Sequence, residues 1–364
     1  MVNLNIFSPF HLGDYILPNR IIMAPMTRLR ANSDGTPTEL MGTYYAQRAT
    51  AGLIITEATM ISPLSHGYMN CPGIYNDKQT EGWKLVVEKV HQQQGKIFLQ
   101  LWHSGRISHP ALLNGELPIA PSEISAVGHL HTPIGKVSLE TPRALDIKEI
   151  PLIVEQFYQA SVNALNAGFD GVELHGAFGY LIDQFLQDSS NKRTDEYGGS
   201  IANRSRFLLE IVEAVRGVWG DKKVGIKLSP SNTFYGISDS NPVNLFSYIL
   251  NVLNDYNLAY IHLMEPSDID LATGNVITSV LDTFKNFYNG TIITNGGYDK
   301  SKANDVISSE KADLVSFGRP FIANPDLVTR LEISASLNET DGKTIYGQGT
   351  NNAEHGYTDY PFLT

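Results

Sequence analysis

The chain has 364 residues with 27 basic against 38 acidic side chains, and a formal net charge of −11 counts against a nucleic-acid partner. At 42% hydrophobic and 18% charged residues, with 31 Gly and 18 Pro, the composition is that of an ordinary globular chain rather than a disordered or fibrous one. The single cysteine, Cys71, cannot form an internal disulfide, and there is neither a signal-peptide pattern at the N-terminus nor an apolar run of membrane-spanning length, so a cytoplasmic protein without membrane association is expected.

In chain order, eight short β-rich apolar runs follow one another: RIIMAPM (20–26), LIITEA (53–58), KIFLQLW (96–102), DGVELHG (170–176), KVGIKLS (223–229), AYIHLME (259–265), TIITNGG (291–297) and DLVSFGR (313–319). Several are nearly continuous in apolar character, as expected of strands covered on both faces. Helix-length segments separate most of them. Over 150–168 the residues Ile150, Val154, Phe157, Ser161, Ala164 and Leu165 share one face and Gly168 ends the helix. Phe207, Leu208, Ile211, Val212, Val215 and Val218 do the same before Gly220, and Asn324-Pro325 reads as an N-cap with proline in the first turn of a further helix. The stretch 103–149, rich in Pro, Gly and Ser, is too long for one helix and reads as an excursion over the mouth of the fold. Eight strand-helix units predict a single (β/α)8 barrel domain over 1–364, with an N-terminal cap and the excursion after strand three; a doubly wound open sheet also accommodates the alternation.

In a barrel the chemistry sits at the carboxyl ends of the strands, which here carry Thr27, Glu57, Gln100, Trp102, His103, His175, Lys227, Glu265, Asn295 and Arg319. The GKT at 342–344 lacks a P-loop glycine, since position 337 is leucine, and no strand is followed by G-x-G-x-x-G. His129 and His131 read as solvated loop residues, so no metal is expected. The glycine-bearing ends NGG (295–297) and FGR (317–319) close the last two units, where barrels commonly expose backbone N–H groups to a phosphate, and Arg319 adds charge. A hydroxyl at Thr27, a carboxamide at Gln100 and a cation at Lys227 suit the polar edge of an isoalloxazine ring. His175 can donate to a carbonyl oxygen, and Tyr180 can give a proton to a carbanion without adding charge to the pocket.

The runs PNRIIMAPMTR (18–28), ITEATMISPLSHGY (55–68), QLWHSGR (100–106), AGFDGVELHGAFGYLIDQFL (167–186), NKRTDEYGGSIANRSRF (191–207), VGIKLSP (224–230), NGGYD (295–299), FGRPFIANPDL (317–327) and GYTDYP (356–361) resemble the Old Yellow Enzyme family over nearly the whole chain. The resemblance implies an FMN-dependent reductase of activated alkenes on a (β/α)8 barrel, with noncovalent FMN, NADPH or NADH as reductant, a ping-pong cycle and a monomer or homodimer. It places Pro25, Thr27, Ala58, Gln100 and Lys227 at the flavin ring, Gly297, Gly318 and Arg319 at its phosphate, and Trp102, Tyr68, Tyr357, His175 and Phe178 around the substrate. Tyr180 matches the proton donor. Two positions depart from the family pattern: Lys227 stands where arginine is usual, and Phe178 replaces the asparagine or histidine that gives the substrate oxygen its second hydrogen bond. The second departure opens two alternatives: a site redirected to nitro compounds, nitrate esters or an isomerisation, and a flavin-binding module without efficient turnover.

Overall fold

The computed structural model describes residues 4–274, 276–347 and 352–363. Its eight central strands are β1 (Ile21–Met23), β2 (Leu53–Ile55), β3 (Ile97–Trp102), β4 (Gly171–Gly176), β5 (Val224–Leu228), β6 (Tyr260–Met264), β7 (Ile292–Asn295) and β8 (Leu314–Phe317). Each pairs in parallel with the next, and β8 pairs back to β1, so the ring closes and the open-sheet alternative is excluded. Helices α1 (Glu39–Ala46), α2 (Asp77–Gln92), α3 (Ile150–Asn166), α4 (Ile201–Trp219), α5 (Pro242–Leu253), α6 (Val280–Phe284), α7 (Lys300–Ser308) and α8 (Leu327–Glu332) follow the strands in turn, completing a (β/α)8 barrel.

The predicted runs all contain strands, which end already at Met23 and Ile55 in the runs at 20–26 and 53–58. Helices α3 and α4 end as expected, with Gly168 and Gly220 at φ +87° and +72°. The start of α8 differs. Asp326, not Asn324, occupies the N-cap, because the Asn324 side chain is spent on the carbonyls of Pro320 and Asn338.

Strand alternation sorts the side chains. Outward residues such as Leu99, Val172, Leu174, Ile226, Ile261 and Val315 pack against the helices. Inward residues Ile22, Leu53, Ile55, Phe98, Tyr260, Ile293 and Leu314 fill the lower barrel, which an antiparallel hairpin of Phe10–Leu12 and Tyr15–Leu17 plugs with Leu12 and Leu17. This hairpin is the expected N-terminal cap. Tyr260 has room only because its neighbour on β5 is Gly225, where a Cβ would stand 2.3 Å from the ring. The excursion 103–149 contains a helical turn at Pro110–Leu112, a hairpin of His129–Thr132 with Gly135–Ser138, and a parallel bridge of Ile119–Ala120 with Arg143–Ala144. Among the described residues no helix is long and apolar enough to cross a membrane.

Candidate active site

Above the apolar plug the inner face of the barrel turns polar. Gln100 on β3 donates from Nε2 to Glu173 Oε1 on β4 at 2.8 Å, and His262 Nδ1 on β6 meets Glu173 Oε2 at 2.8 Å. Because a carboxylate only accepts, His262 Nδ1–H is the donor, and its Nε2 accepts from the Ser316 hydroxyl on β8 at 2.8 Å. Burial pushes the His262 imidazole down to about 4, so it is neutral at pH 7 and the tautomer is fixed by its partners. Buried polar groups are tolerated where they are paired, and this relay across four strands pairs the Gln100 nitrogen, both Glu173 oxygens, both His262 nitrogens and the Ser316 hydroxyl.

One level higher, His175, Lys227 and His262 stand in register on β4, β5 and β6. Lys227 is 3% exposed and has no hydrogen-bond or ion-pair partner among the described residues; its ammonium lies 5.5 Å from the centroid of the Phe178 ring. Burial pulls it down to about 8 against the pull of Glu173 in the other direction. His175 is held well below the usual histidine range by burial, then by the Lys227 charge. Its Nδ1 accepts from the Ala177 N–H at 3.4 Å, so the neutral ring carries its proton on Nε2 and can donate from there.

The turn after β4 is rigidly held. Gly179 N–H donates to Asp183 Oδ2 at 2.8 Å, and Gln184 Nε2 donates to the carbonyls of Gly179 and Ser104. Phe178 sits at φ +57°, a left-handed conformation unusual for an aromatic residue, with its N–H on the Ser229 hydroxyl. Tyr180, 9% exposed, stands edge-on to His175 at 4.8 Å and to Trp102 at 5.1 Å between ring centroids. Burial keeps its phenol well above the usual tyrosine range, hence protonated. Tyr68 stacks on Trp102 at 5.8 Å and hydrogen-bonds the hydroxyl of Tyr180.

A cavity of about 270 Å³ opens over this group, lined by Thr27, Leu29, Tyr68, Tyr180, Tyr235, Tyr346 and, from the excursion, His129, Leu130 and His131. The two histidines are exposed, as expected of solvated residues, and stand on the hairpin strand His129–Thr132 at the edge of this cavity. Tyr357 is a correction. It is fully buried and stacked 4.1 Å from Tyr44, with the guanidinium groups of Arg28 and Arg30 over its ring. Tyr346 lines the cavity in its place, because Arg28 Nε and Arg30 Nη2 grip the carbonyls of Ile345 and Thr344 and fold that segment over the mouth. Glu57, although at a strand end, is buried and spent on the N–H groups of Arg28 and Leu29 and the Tyr45 hydroxyl.

Three observations test the fit of a flavin phosphate group. A Cβ at Gly297 would meet nothing within 4 Å, and one at Gly318 only Met26 at 3.6 Å or more, so both backbones are open to close approach. The Arg319 guanidinium has no partner among the described residues, and neither has the buried Lys227 ammonium. Open backbone after β7 and β8, a guanidinium next to Gly318 and a buried cation on the inner face of β5, both without a partner among the described residues, suit a planar anionic cofactor.

Residues 5–338 match the NADH:flavin oxidoreductase / NADH oxidase family. This chain is a member of the Old Yellow Enzyme family. It is 44% identical over 362 residues to the putative 12-oxophytodienoate reductase 2 of Oryza sativa subsp. japonica (98% of this chain, 94% of the relative), and 44% identical to 12-oxophytodienoate reductase 1 of the same plant (98% and 93%). Among solved structures it resembles morphinone reductase (TM-score 0.93, 46% identity, 99% and 97% covered) and the old yellow enzyme homologue from Zymomonas mobilis (TM-score 0.93, 40% identity, 99% and 100% covered). A further structure of morphinone reductase, in complex with tetrahydroNAD, has a TM-score of 0.92. As an Old Yellow Enzyme, the chain is an FMN-dependent oxidoreductase that draws on a nicotinamide and reduces activated alkenes.

Of the residues that serve this site, Tyr346 and Tyr235 have no signal in periodicity or spacing, since both lie in irregular segments. Glu173 and His262 do have one: each occupies an inward position on its strand, Glu173 two residues before His175.

Proposed function

We propose that the whole chain acts as one FMN-binding unit roofed by the excursion, with Tyr180 as proton donor and His175 as the donor to the substrate's activating oxygen. FMN supplies the carrier that takes hydride from the nicotinamide and gives it to the alkene. Pro25, Thr27, Ala58 and Gln100 contact its ring, Lys227 places a positive charge at its edge, and Gly297, Gly318 and Arg319 hold its phosphate. Gln100 enters this role with its nitrogen already committed to Glu173, so its carbonyl oxygen is the free acceptor. The same cavity admits the nicotinamide and the alkene in turn, between Trp102, Tyr68 and Tyr346.

The observation that carries the reading is the edge-to-face packing of His175 and Tyr180, two protonated donors of opposite purpose, at 4.8 Å. The neutral imidazole stabilises charge developing on a carbonyl oxygen while the phenol delivers a proton to carbon. The carbonyl-activated alkenes in the names of the relatives, 12-oxophytodienoate and morphinone, are the substrate class we assign to this chain. A cytoplasmic location and a monomer or homodimer accord with this reading. Tyr180→Phe is expected to leave flavin reduction by NADPH nearly intact and to slow reoxidation by 2-cyclohexenone by roughly 10²-fold or more, since only the second half needs a proton. Equal slowing of both halves in stopped-flow measurements would remove the donor role. Arg319→Ala is expected to raise the dissociation constant for FMN without changing the spectrum of the flavin that remains bound, as checked by fluorescence titration of the apoprotein.

A further inference from the structure

Tyr68 is the middle member of a chain of three phenols. Its hydroxyl lies 2.9 Å from that of Tyr180 and 2.8 Å from that of Tyr235. Each phenol has one proton to donate, so Tyr68 cannot donate to both of its neighbours. If Tyr180 is to point its O–H at the substrate, its oxygen must accept from Tyr68; Tyr68 then has no proton left for Tyr235, whose O–H must be the donor to Tyr68. Burial pushes all three phenols above the usual tyrosine range, so the chain is fully protonated at rest.

Tyr235 is held in place at some conformational cost. It follows β5 in an irregular turn at φ +57°, ψ +22°, a left-handed conformation, with its carbonyl accepting from the Val127 N–H of the excursion at 3.1 Å and Phe234 packed edge-on at 4.5 Å. Unlike the fully buried Trp102, it is half-buried and lines the cavity mouth beside His129, His131 and Tyr346. The chain therefore leads from the Tyr180 hydroxyl through side chains along the cavity wall to its mouth.

We propose that Tyr235 is a positioning residue for proton delivery, which through Tyr68 orients and polarises the Tyr180 hydroxyl and returns a solvent proton to it. The inference rests on the assignment of Tyr180 as donor. As the new C–H bond forms at the substrate, the Tyr180 O–H bond breaks; Tyr180 takes the Tyr68 proton, Tyr68 takes that of Tyr235, and Tyr235 takes one from hydronium or a buffer acid at the mouth. One solvent proton is consumed per alkene reduced, and no charge remains in the chain.

The test follows reoxidation of the NADPH-reduced holoenzyme by 2-cyclohexenone in a stopped-flow instrument, in mixtures of H2O and D2O, with FMN content measured for every variant. Wild type should give a curved dependence of rate on deuterium fraction, the sign of more than one proton in motion. Tyr235→Phe should slow this step roughly tenfold, the loss of one hydrogen bond in the chain, straighten the dependence, and leave reduction by NADPH within about twofold. Tyr68→Phe, which breaks both links, should cost more. An unchanged rate in Tyr235→Phe, equal slowing of both half-reactions, or a curvature that persists in this variant would each overturn the proposal. Failure of the donor assignment has a different signature, a Tyr180→Phe enzyme that reoxidises as fast as wild type, and would overturn the proposal along with it.

Discussion

Phe178→Asn is expected to raise the rate of 2-cyclohexenone reduction by roughly 10²-fold and to tighten the binding of para-substituted phenols, with flavin reduction by NADPH changing much less. With His175 as the proposed donor, the oxygen that gathers charge during hydride transfer would meet one side-chain donor from the end of β4 and the turn after it, the Nε2–H of the neutral imidazole, because the ring at 178 can donate nothing. A second preorganised donor to such an oxygen is typically worth ~3 kcal/mol. The backbone favours the change as well: position 178 lies at φ +57°, where asparagine is far more at ease than phenylalanine. Against this stands the loss of the aromatic face over which the Lys227 ammonium sits, an attraction of ~1 kcal/mol, too small to reverse the gain. A wild type that already reduces cyclohexenone briskly, with an asparagine variant no faster, would show that the second hydrogen bond is dispensable in this pocket.

How much of this site can be read in the sequence depends on where each residue sits. His175, Lys227 and Gln100 stand on strands, where the period of two fixes the face and the barrel fixes the end, so their convergence follows from the order of the runs. Gly297, Gly318 and Arg319 follow the last residues of β7 and β8 by one or two positions, so the strand ends fix their place as well. Phe178 and Tyr180 follow β4 by so few residues that the turn has little freedom to carry them away. Tyr357 fails this logic. It follows α8 by two dozen residues, and what decides its place is a set of long-range contacts with Arg28, Arg30 and Tyr44 that no local pattern encodes. The same two arginines, through hydrogen bonds to the Ile345 and Thr344 carbonyls, deliver Tyr346 to the cavity. Tyr235 was equally hidden, since its reach to Tyr68 depends on a left-handed turn in a segment without periodicity.

Lys227→Met is expected to make the cofactor-free protein more stable while weakening its hold on FMN and slowing hydride transfer. The ammonium is buried without an acceptor among the described residues, and the shift from 10.5 in the unfolded chain to about 8 in the fold corresponds to a cost of about 3 kcal/mol at neutral pH. Methionine fills a similar volume and carries no charge to desolvate, so most of that cost should be recovered. The sign of the pH dependence follows from proton counting. Between pH 8 and 10.5 the unfolded chain binds more protons at this site than the folded one, so wild-type stability rises with pH across that window, while the contribution is constant below it. The advantage of Lys227→Met should therefore be largest at pH 7 and fade towards pH 10.5. Denaturant titrations of the two apoproteins at several pH values measure this directly. Lys227→Arg is the functional control: its guanidinium stays charged throughout, so FMN affinity, which in wild type should fall as pH rises through about 8, should become flat over that range. An apoprotein that Lys227→Met destabilises at pH 7 would mean that the charge is already compensated within the barrel, with Glu173 as the partner acting across space.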